Sequence, residues 1–362
     1  MAYEVDFLDV GDAGKSGDAI ALRVGNLAIP SEQGVVVIDG GFQPSGETLV
    51  KHIRDYYKTN RVDLIVSTHP DGDHNSGLTA VLEQMDVKQL WMHKPWEHTD
   101  GTADLFRNGR VTDAGVRASL RRSLEDAVDL ESLARSKSIP IVEPFAGYQA
   151  EGFGATFTVL GPSREYYESL LPGFRSTPAP AQSTGLFQRA LQGAQEVVQR
   201  VAEDWGYETL ADDGETSPEN NSSVILLVSF GDDLLLFTGD AGIPALTAAA
   251  DQLEASGFAA ANIKFIQVPH HGSKRNVGPT VLNRLLGPKL ATDERLRTAF
   301  VSAAQDAAPK HPAKKVLNAF RRRGAPVHGT DDGNARWHHS TDAPARTWGP
   351  STPHPFYSEV DD

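Results

Sequence analysis

Residues 67–77 read Ser-Thr-His-Pro-Asp-Gly-Asp-His-Asn-Ser-Gly, so His69, Asp71, Asp73 and His74 bring four possible metal ligands into six positions. Imidazole and carboxylate groups hold Zn²⁺, Mn²⁺ and related divalent ions. Ions of that kind make hydroxide available for hydrolysis near neutral pH. Asp, Gly, Asn and Pro also crowd ordinary surface turns. Two histidines interleaved with two aspartates directly after an apolar run are nevertheless hard to obtain from turn chemistry. Two later segments repeat the theme. Leu235-Leu236-Phe237-Thr238-Gly239-Asp240 ends an apolar run in a carboxylate, and Phe265 to Ser273 ends another in the pair His270-His271. A Gly-Asp turn after a strand is commonplace on its own. Taken together, Asp71, Asp73 and Asp240 with His69, His74, His270 and His271 make a constellation that coincidence explains poorly.

The elements that must position these groups can be read from the pattern of apolar and turn residues. Residues 4–10, 19–24, 35–39 and 62–67 are apolar and β-branched enough for strands, with Gly-rich turns at 11–17 and 30–34 between the first three. A helix is expected over 45–57, and the first ligand cluster then leaves the carboxyl end of the 62–67 strand. Gly72 and Gly77 are expected to give that loop its backbone freedom. Residues 104–136 have helical character, and strand character returns at 139–143 and 155–160. Pro-rich and acidic pieces over 163–217 surround an expected helix at 185–204. A hairpin follows, with strands at 224–230 and 234–238 around a Gly231-Asp232-Asp233 turn. A helix at 244–256, a buried strand at 263–269 and a basic helix at 314–323 complete the expected elements. The tail beyond about 340 is Pro-rich and expected to be irregular. No internal repeat is visible.

Composition narrows the function classes. A chain of 362 residues with 40% hydrophobic content can bury one large or two ordinary cores. With no cysteine, disulfides, thiolate metal sites and a cysteine nucleophile are excluded. There is no basic leader and no apolar stretch long enough for a signal peptide or a membrane span, so a cytoplasmic protein without a membrane partner is expected. The 34 Lys and Arg against 48 Asp and Glu give a net charge of −14, which opposes broad adhesion to a polyanion but leaves room for a local groove.

The order Asp39-Gly40-Gly41, His69-x-Asp71-x-Asp73-His74, Gly239-Asp240 and His270-His271-Gly272-Ser273 resembles the metallo-β-lactamase fold superfamily. Within it, the chain is similar to the hydrolase domain of ComEC-type DNA-uptake (competence) proteins. That likeness rests on Phe7-Leu8-Asp9-Val10-Gly11, Gly17-Asp18-Ala19-Ile20, Val268 to Lys274, Lys310-His311-Pro312 and Gly329-Thr330-Asp331-Asp332-Gly333. The match spans about residues 4–335. It implies an α/β fold, a four-layered αβ/βα sandwich over residues 1–340; helical insertions peculiar to this chain are expected at about 96–137 and 163–217, and a tail at 341–362. It also implies two divalent metal ions, Zn²⁺ or Mn²⁺. His69 and Asp71 would bind one ion, Asp73, His74 and His271 the other, and Asp240 would bridge them, while His270 faces substrate. His271 is the late ligand because Pro269-His270-His271-Gly272 lines up with the superfamily's Pro-Gly-His-Gly. Two departures stand out. Position 71 is Asp where most members have His, and the third-motif His is replaced by the stretch Glu219-Asn220-Asn221-Ser222-Ser223. Oxygen in place of imidazole hardens a site and favours Mn²⁺ as a competitor to Zn²⁺.

The implied chemistry is hydrolysis. Two ions roughly 3.5–4 Å apart lower the pKa of a bridging water and stabilise charge on the attacking and leaving oxygens. Asp73, Asp240, His270 and His311 are the expected catalytic groups, with His311 protonating a leaving group or touching a phosphate. Ser273, Lys274, Arg275 and Asn221 are candidate substrate contacts, since hydroxyl and cationic donors suit phosphate oxygens. Asp39 is expected to orient ligands by hydrogen bonding. The pairs His338-His339 and His93/His98 read as surface or packing histidines, and Lys314, Lys315, Arg321, Arg322 and Arg323 as a solvated helix face. The leading expectation is a metal-dependent phosphodiesterase or nuclease acting on DNA or another nucleotide. The alternatives are hydrolysis of a small ester, lactone, thioester or β-lactam, and a noncatalytic partner protein with a degenerate metal site.

Overall fold

Along the longer strands, alternate side chains enter different cores, and both sets are apolar. The computed structural model describes residues 2–10, 15–106, 110–175, 177, 200–304, 311–331, 333–338, 346–347 and 351–361. The strands of the first half are β1 (Ala2–Phe7), β2 (Ala19–Gly25), β3 (Gln33–Gly40), β4 (Arg61–Val62), β5 (Leu64–Val66), β6 (Asp86–Val87), β7 (Leu90–Trp91) and β8 (Ile141–Val142). They are followed by β9 (Gln149–Gly152), β10 (Ala155–Gly161), β11 (Arg200–Ala202), β12 (Ile225–Phe230), β13 (Asp233–Phe237) and β14 (Ile263–Gln267). The last four are β15 (Thr298–Val301), β16 (Val327–Gly329), β17 (Ala335–His338) and β18 (Glu359–Asp361).

Two seven-stranded sheets result, ordered β17-β1-β2-β3-β5-β7-β8 and β16-β15-β14-β13-β12-β10-β9. In the first, Ile20, Leu22, Val36, Ile38 and Val66 face the second sheet, and Ala21, Val35, Val37 and Ile65 face outward. In the second, Leu226, Val228, Leu235 and Phe237 point inward, and Ile225, Leu227, Leu234 and Leu236 outward. Such two-sided burial requires a helix layer over each outer face. The helices Gln43–His52, Leu78–Gln84 and Glu125–Ser136 cover the first sheet, and Ile243–Ala255, Pro279–Leu286 and Lys314–Arg322 the second. The arrangement is the four-layered αβ/βα sandwich expected from the sequence. β3, β5, β7 and β8 run parallel, as do β13 to β16. Their carboxyl ends carry the candidate ligands, the place where open α/β sheets bind ligands.

Several local expectations are corrected. The 62–67 strand is split at Asp63, whose backbone N–H donates to the Val35 carbonyl (2.8 Å) while its carboxylate accepts from the Val35 N–H (2.9 Å). The part before the split pairs with β6 instead of with the large sheet. Most of the helix expected over 185–204 lies outside the described residues, but at its end Arg200–Ala202 is strand, paired with Glu359–Asp361. The tail expected to be irregular therefore supplies a strand. It also supplies Arg346, whose side chain is buried against Glu4 and Asp6, which are themselves buried beside Arg23, His52 and Tyr57. The basic helix does not present a solvated cationic face. Lys315, Arg322 and Arg323 are buried, and Arg322 pairs with Glu203 (3.0 Å), Arg323 with Glu208 (2.8 Å) and Arg321 with Asp293 (2.6 Å). Positions 310, 332 and 339 lie outside the described residues. Among the described residues, no helix is long and apolar enough to cross a membrane.

Candidate metal centre

The loop after β5 is held from inside by Asn75. Its side-chain amide donates to the His69 carbonyl (2.5 Å) and the Asp71 carbonyl (3.3 Å), and its oxygen accepts from the Ser67 hydroxyl (2.5 Å). Asp71 is the N-cap of the short helix Gly72–Asn75, which lifts His74 toward the sheets. Gly77 is needed for contact and not for an unusual backbone, since its φ is −72° and a Cβ there would lie 2.0 Å from the Gly40 carbonyl oxygen. The expectation that Gly72 and Gly77 serve as flexible points is thus corrected: Gly77 lets the loop press against β3.

Three imidazoles present the same nitrogen to one buried space. His74 Nδ1 lies 2.8 Å from Asp39 Oδ2, and His271 Nδ1 lies 3.1 Å from the Ser302 carbonyl oxygen. For His69 the logic takes one more step. The Thr68 hydroxyl donates to Asp39 Oδ2 (2.6 Å), so its oxygen must accept from the His69 Nδ1–H (3.0 Å). Each ring therefore carries its proton, or its charge-assisted contact, on Nδ1. The three Nε2 atoms are buried without a hydrogen-bond partner, as is Asp240 Oδ1. Buried polar atoms seldom remain unpaired, and imidazoles fixed through Nδ1 are the usual preparation for a metal at Nε2. The residues fit a divalent ion on this count.

Asp240 stands at the centre of the group. It lies 3.5 Å from His74 Nε2, 3.6 Å from His270 Nε2 and 3.8 Å from His69 Nε2. Burial alone would raise its carboxyl, but the imidazoles of His270, His74 and His271 outweigh burial and hold it well below the carboxylate range. Burial opposes charge on His74 too, but Asp240 and Asp39 push its pKa well above the ordinary value. His69 is pushed down by burial and by His74. Asp240 is thus held as a carboxylate facing the imidazoles. Asp73, His74 and His271 can converge on one ion, as can Asp18, His74 and Asp240.

The outer rim is built differently. His270 and His271 have φ of 47° and 55°, a left-handed pair that turns both side chains into the site. His270 is part-exposed, with its Nδ1 2.9 Å from Asn276 Oδ1 and 3.2 Å from the Asn220 amide nitrogen. His311 lies 6.2 Å from His270, ring to ring, and burial together with His270 lowers it to about 4. Asp71 departs most from expectation. Its Oδ2 is 3.9 Å from His69 Nε2, but its Oδ1 pairs with Arg175, and burial raises the carboxyl to about 6 against the pull of that arginine.

The fold thus gathers His69, Asp71, Asp73, His74, Asp240, His270, His271 and His311 at one edge. Ser273 is buried beside them, Lys274 is half-buried and Arg275 exposed on the same turn. Asn221 is buried with its Oδ1 unpartnered and faces Thr216 and Gly242, whereas its neighbour Asn220 reaches His270. His93 is not in the site: it is stacked between Phe145 and Tyr167, each 4.6 Å away. Sequence reasoning missed Thr68, Asn75, Arg175 and Gln267, and saw Asp18 only as part of a motif. Gln267 accepts from the N–H groups of Thr238 (2.9 Å) and Gly239 (3.1 Å) and donates to Asp18 (2.8 Å), locking two strand ends to the first loop.

Residues 27–172 match the metallo-beta-lactamase superfamily model. No curated protein matches the chain. Among solved structures, it is similar to a Cronobacter sakazakii metallo-beta-lactamase with a HARLDQ motif, at 12% identity over 69% of this chain and 73% of that one, with a TM-score of 0.32. The metallo-beta-lactamase fold protein YhfI from Bacillus subtilis matches at 7% identity over 93% and 99% of the two chains, with a TM-score of 0.42. A superfamily protein from the archaeon Sulfolobus tokodaii matches at 16% over 77% and 83%, with a TM-score of 0.34.

Proposed function

We propose that the chain is a metal-dependent hydrolase of phosphodiesters, acting on DNA or another nucleotide. The observation that carries the metal dependence is that three buried, unpartnered Nε2 atoms and Asp240 Oδ1 belong to adjoining side chains, with the His69 and His74 rings 4.2 Å apart and those of His74 and His271 5.7 Å apart. A divalent ion bound there supplies a Lewis acid and lowers the pKa of water toward neutrality. The chain's own groups do the rest. Asp39, Thr68 and the Ser302 carbonyl keep the imidazoles in one orientation, and Asp240 holds negative charge between them. His270 stands at the open side, and His311 behind it is neutral at pH 7. An anionic phosphate beside His311 raises its proton affinity and lets it take part in proton transfer to the leaving oxygen. Lys274 and Arg275 follow His271 after Gly272 and Ser273 and suit phosphate oxygens.

The test is cleavage of end-labelled single- and double-stranded DNA with Mn²⁺, Zn²⁺ or EDTA, beside Asp73→Ala. Metal-dependent cutting that EDTA and the variant both abolish is the expected result. A second reading, hydrolysis of a compact nucleotide or small ester, is favoured by the net charge of −14 and by the burial of Arg322 and Arg323 in ion pairs. Hydrolysis of bis(4-nitrophenyl) phosphate or of a nitrophenyl ester, with intact DNA, would select it. A purified chain that retains no ion under any loading condition would leave the noncatalytic partner protein.

A further inference from the structure

The site has two sides, and an arginine has already neutralised one of them. Arg175 donates through its guanidinium to Asp71, and through Nε (3.2 Å) and its own backbone N–H (2.5 Å) to Glu219 Oε1. Glu219 occupies the stretch where the superfamily pattern places a third ligand histidine. The two carboxylates that could serve an ion on the Asp71 side are therefore both tied to one half-exposed cation. The placement is built into the fold. Phe174, the preceding residue, is buried against Tyr167 in the core beneath the first sheet. Glu219 is buried in the short helix Pro218–Asn221, capped by Ser217. A guanidinium stays charged at any ordinary pH and its planar fork suits carboxylates. A divalent ion at Asp71 would have to form beside that charge.

We infer that Arg175 holds the place of a second cation, so that the centre binds one divalent ion per chain, at Asp73, His74 and His271, whose ligand atoms lie within 4.8 Å of one another, with Asp240 beside His74. This rests on the metal-dependent reading above and adds the ion count and the residue that sets it. It differs from the pair of ions that the sequence resemblance implies, because that pattern contains no arginine at this place.

Metal content decides it without any assay of activity. The whole chain is stripped with chelator, reloaded with excess Mn²⁺ or Zn²⁺, desalted and measured by inductively coupled plasma mass spectrometry, with circular dichroism to verify the fold of each variant. The wild type is expected to hold one ion. Arg175→Met, which keeps the volume and removes the charge, is expected to hold two, and Arg175→Lys one. Asp71→Asn should keep the single ion, whereas Asp240→Asn should lose it. Two ions in the wild type would overturn the inference and leave the metal-dependent reading standing. A single ion in folded Arg175→Met would also overturn it, because the arginine would then not be what limits the count. No ion in any folded chain would remove the metal reading itself.

Discussion

The two sheets share a plan but deliver their chemistry differently. From the first, four candidate groups leave a single strand end within six residues, His69 to His74, on a loop pinned by Asn75. From the second, Asp240 leaves β13 and the His270-His271 pair leaves β14, with Gln267 and Asn276 tying the two ends together. Asn276 donates to the Asp240 carbonyl (2.8 Å) and meets His270, so it connects residues that are distant in sequence. The first half is a local cluster that needs the fold to bury it. The second half exists as a site only once the sheet has formed.

The comparison can be broken most sharply at its meeting point. Asp240→Ala removes the one carboxylate that faces His69, His74 and His270 together. It is expected to lower metal-dependent turnover by roughly 10³-fold or more, with the circular dichroism spectrum unchanged; full activity would remove Asp240 from the centre. The second test probes how the local cluster is held. Asp39 has a φ of 55°, which asparagine tolerates, so Asp39→Asn removes the charge behind His74 without straining the backbone. Metal affinity should fall by about 10- to 100-fold, measured by competition with a chromophoric chelator.

The dispersed half should be the more sensitive in stability. Gln267→Ala orphans two buried N–H groups, at a cost of about 1–3 kcal/mol each, readable from denaturant melts. An equal effect from Ser67→Ala, at the edge of the local cluster, would contradict the contrast. His93 supplies a control outside the site. Burial pushes its imidazole down to about 3, against an ordinary 6.5. Its contribution to stability is therefore complete above pH 6.5 and lost as pH falls toward 3, by about 1.4 kcal/mol per unit. His93→Phe, stacked in the same aromatic slot, should flatten that acid limb and leave metal binding untouched.

This contrast also explains what was legible in the sequence. The ligand loop and the two apolar strands ending at Asp240 and His270 were readable, because apolar periodicity and ligand spacing are local properties, whereas the four-layered sandwich came only from the family resemblance. Thr68 and Gln267 were not, because a threonine after a strand or a glutamine closing one has no special meaning until the partner element is placed. Arg175 is a sharper case. It sits 104 positions from Asp71, in a segment whose composition suggested only an insertion. The basic helix misled for the opposite reason: Lys and Arg along an exposed-looking helix read as solvated, yet Glu203 and Glu208 reach back from that same insertion to bury them.

Arg346 has a consequence for handling the molecule. Glu4 and Asp6 lie in the first strand and Arg346 well beyond the last strand of either large sheet, so opposite ends of the described chain close one charged pocket. Ending a recombinant version after the recognisable hydrolase region would delete one of the two guanidiniums at this buried cluster and leave Glu4 with Arg23 and Asp6 with His52 and Tyr57, and a buried charge that loses a partner is costly. The residues least suggestive of architecture thus set the shortest length at which the protein can be made intact.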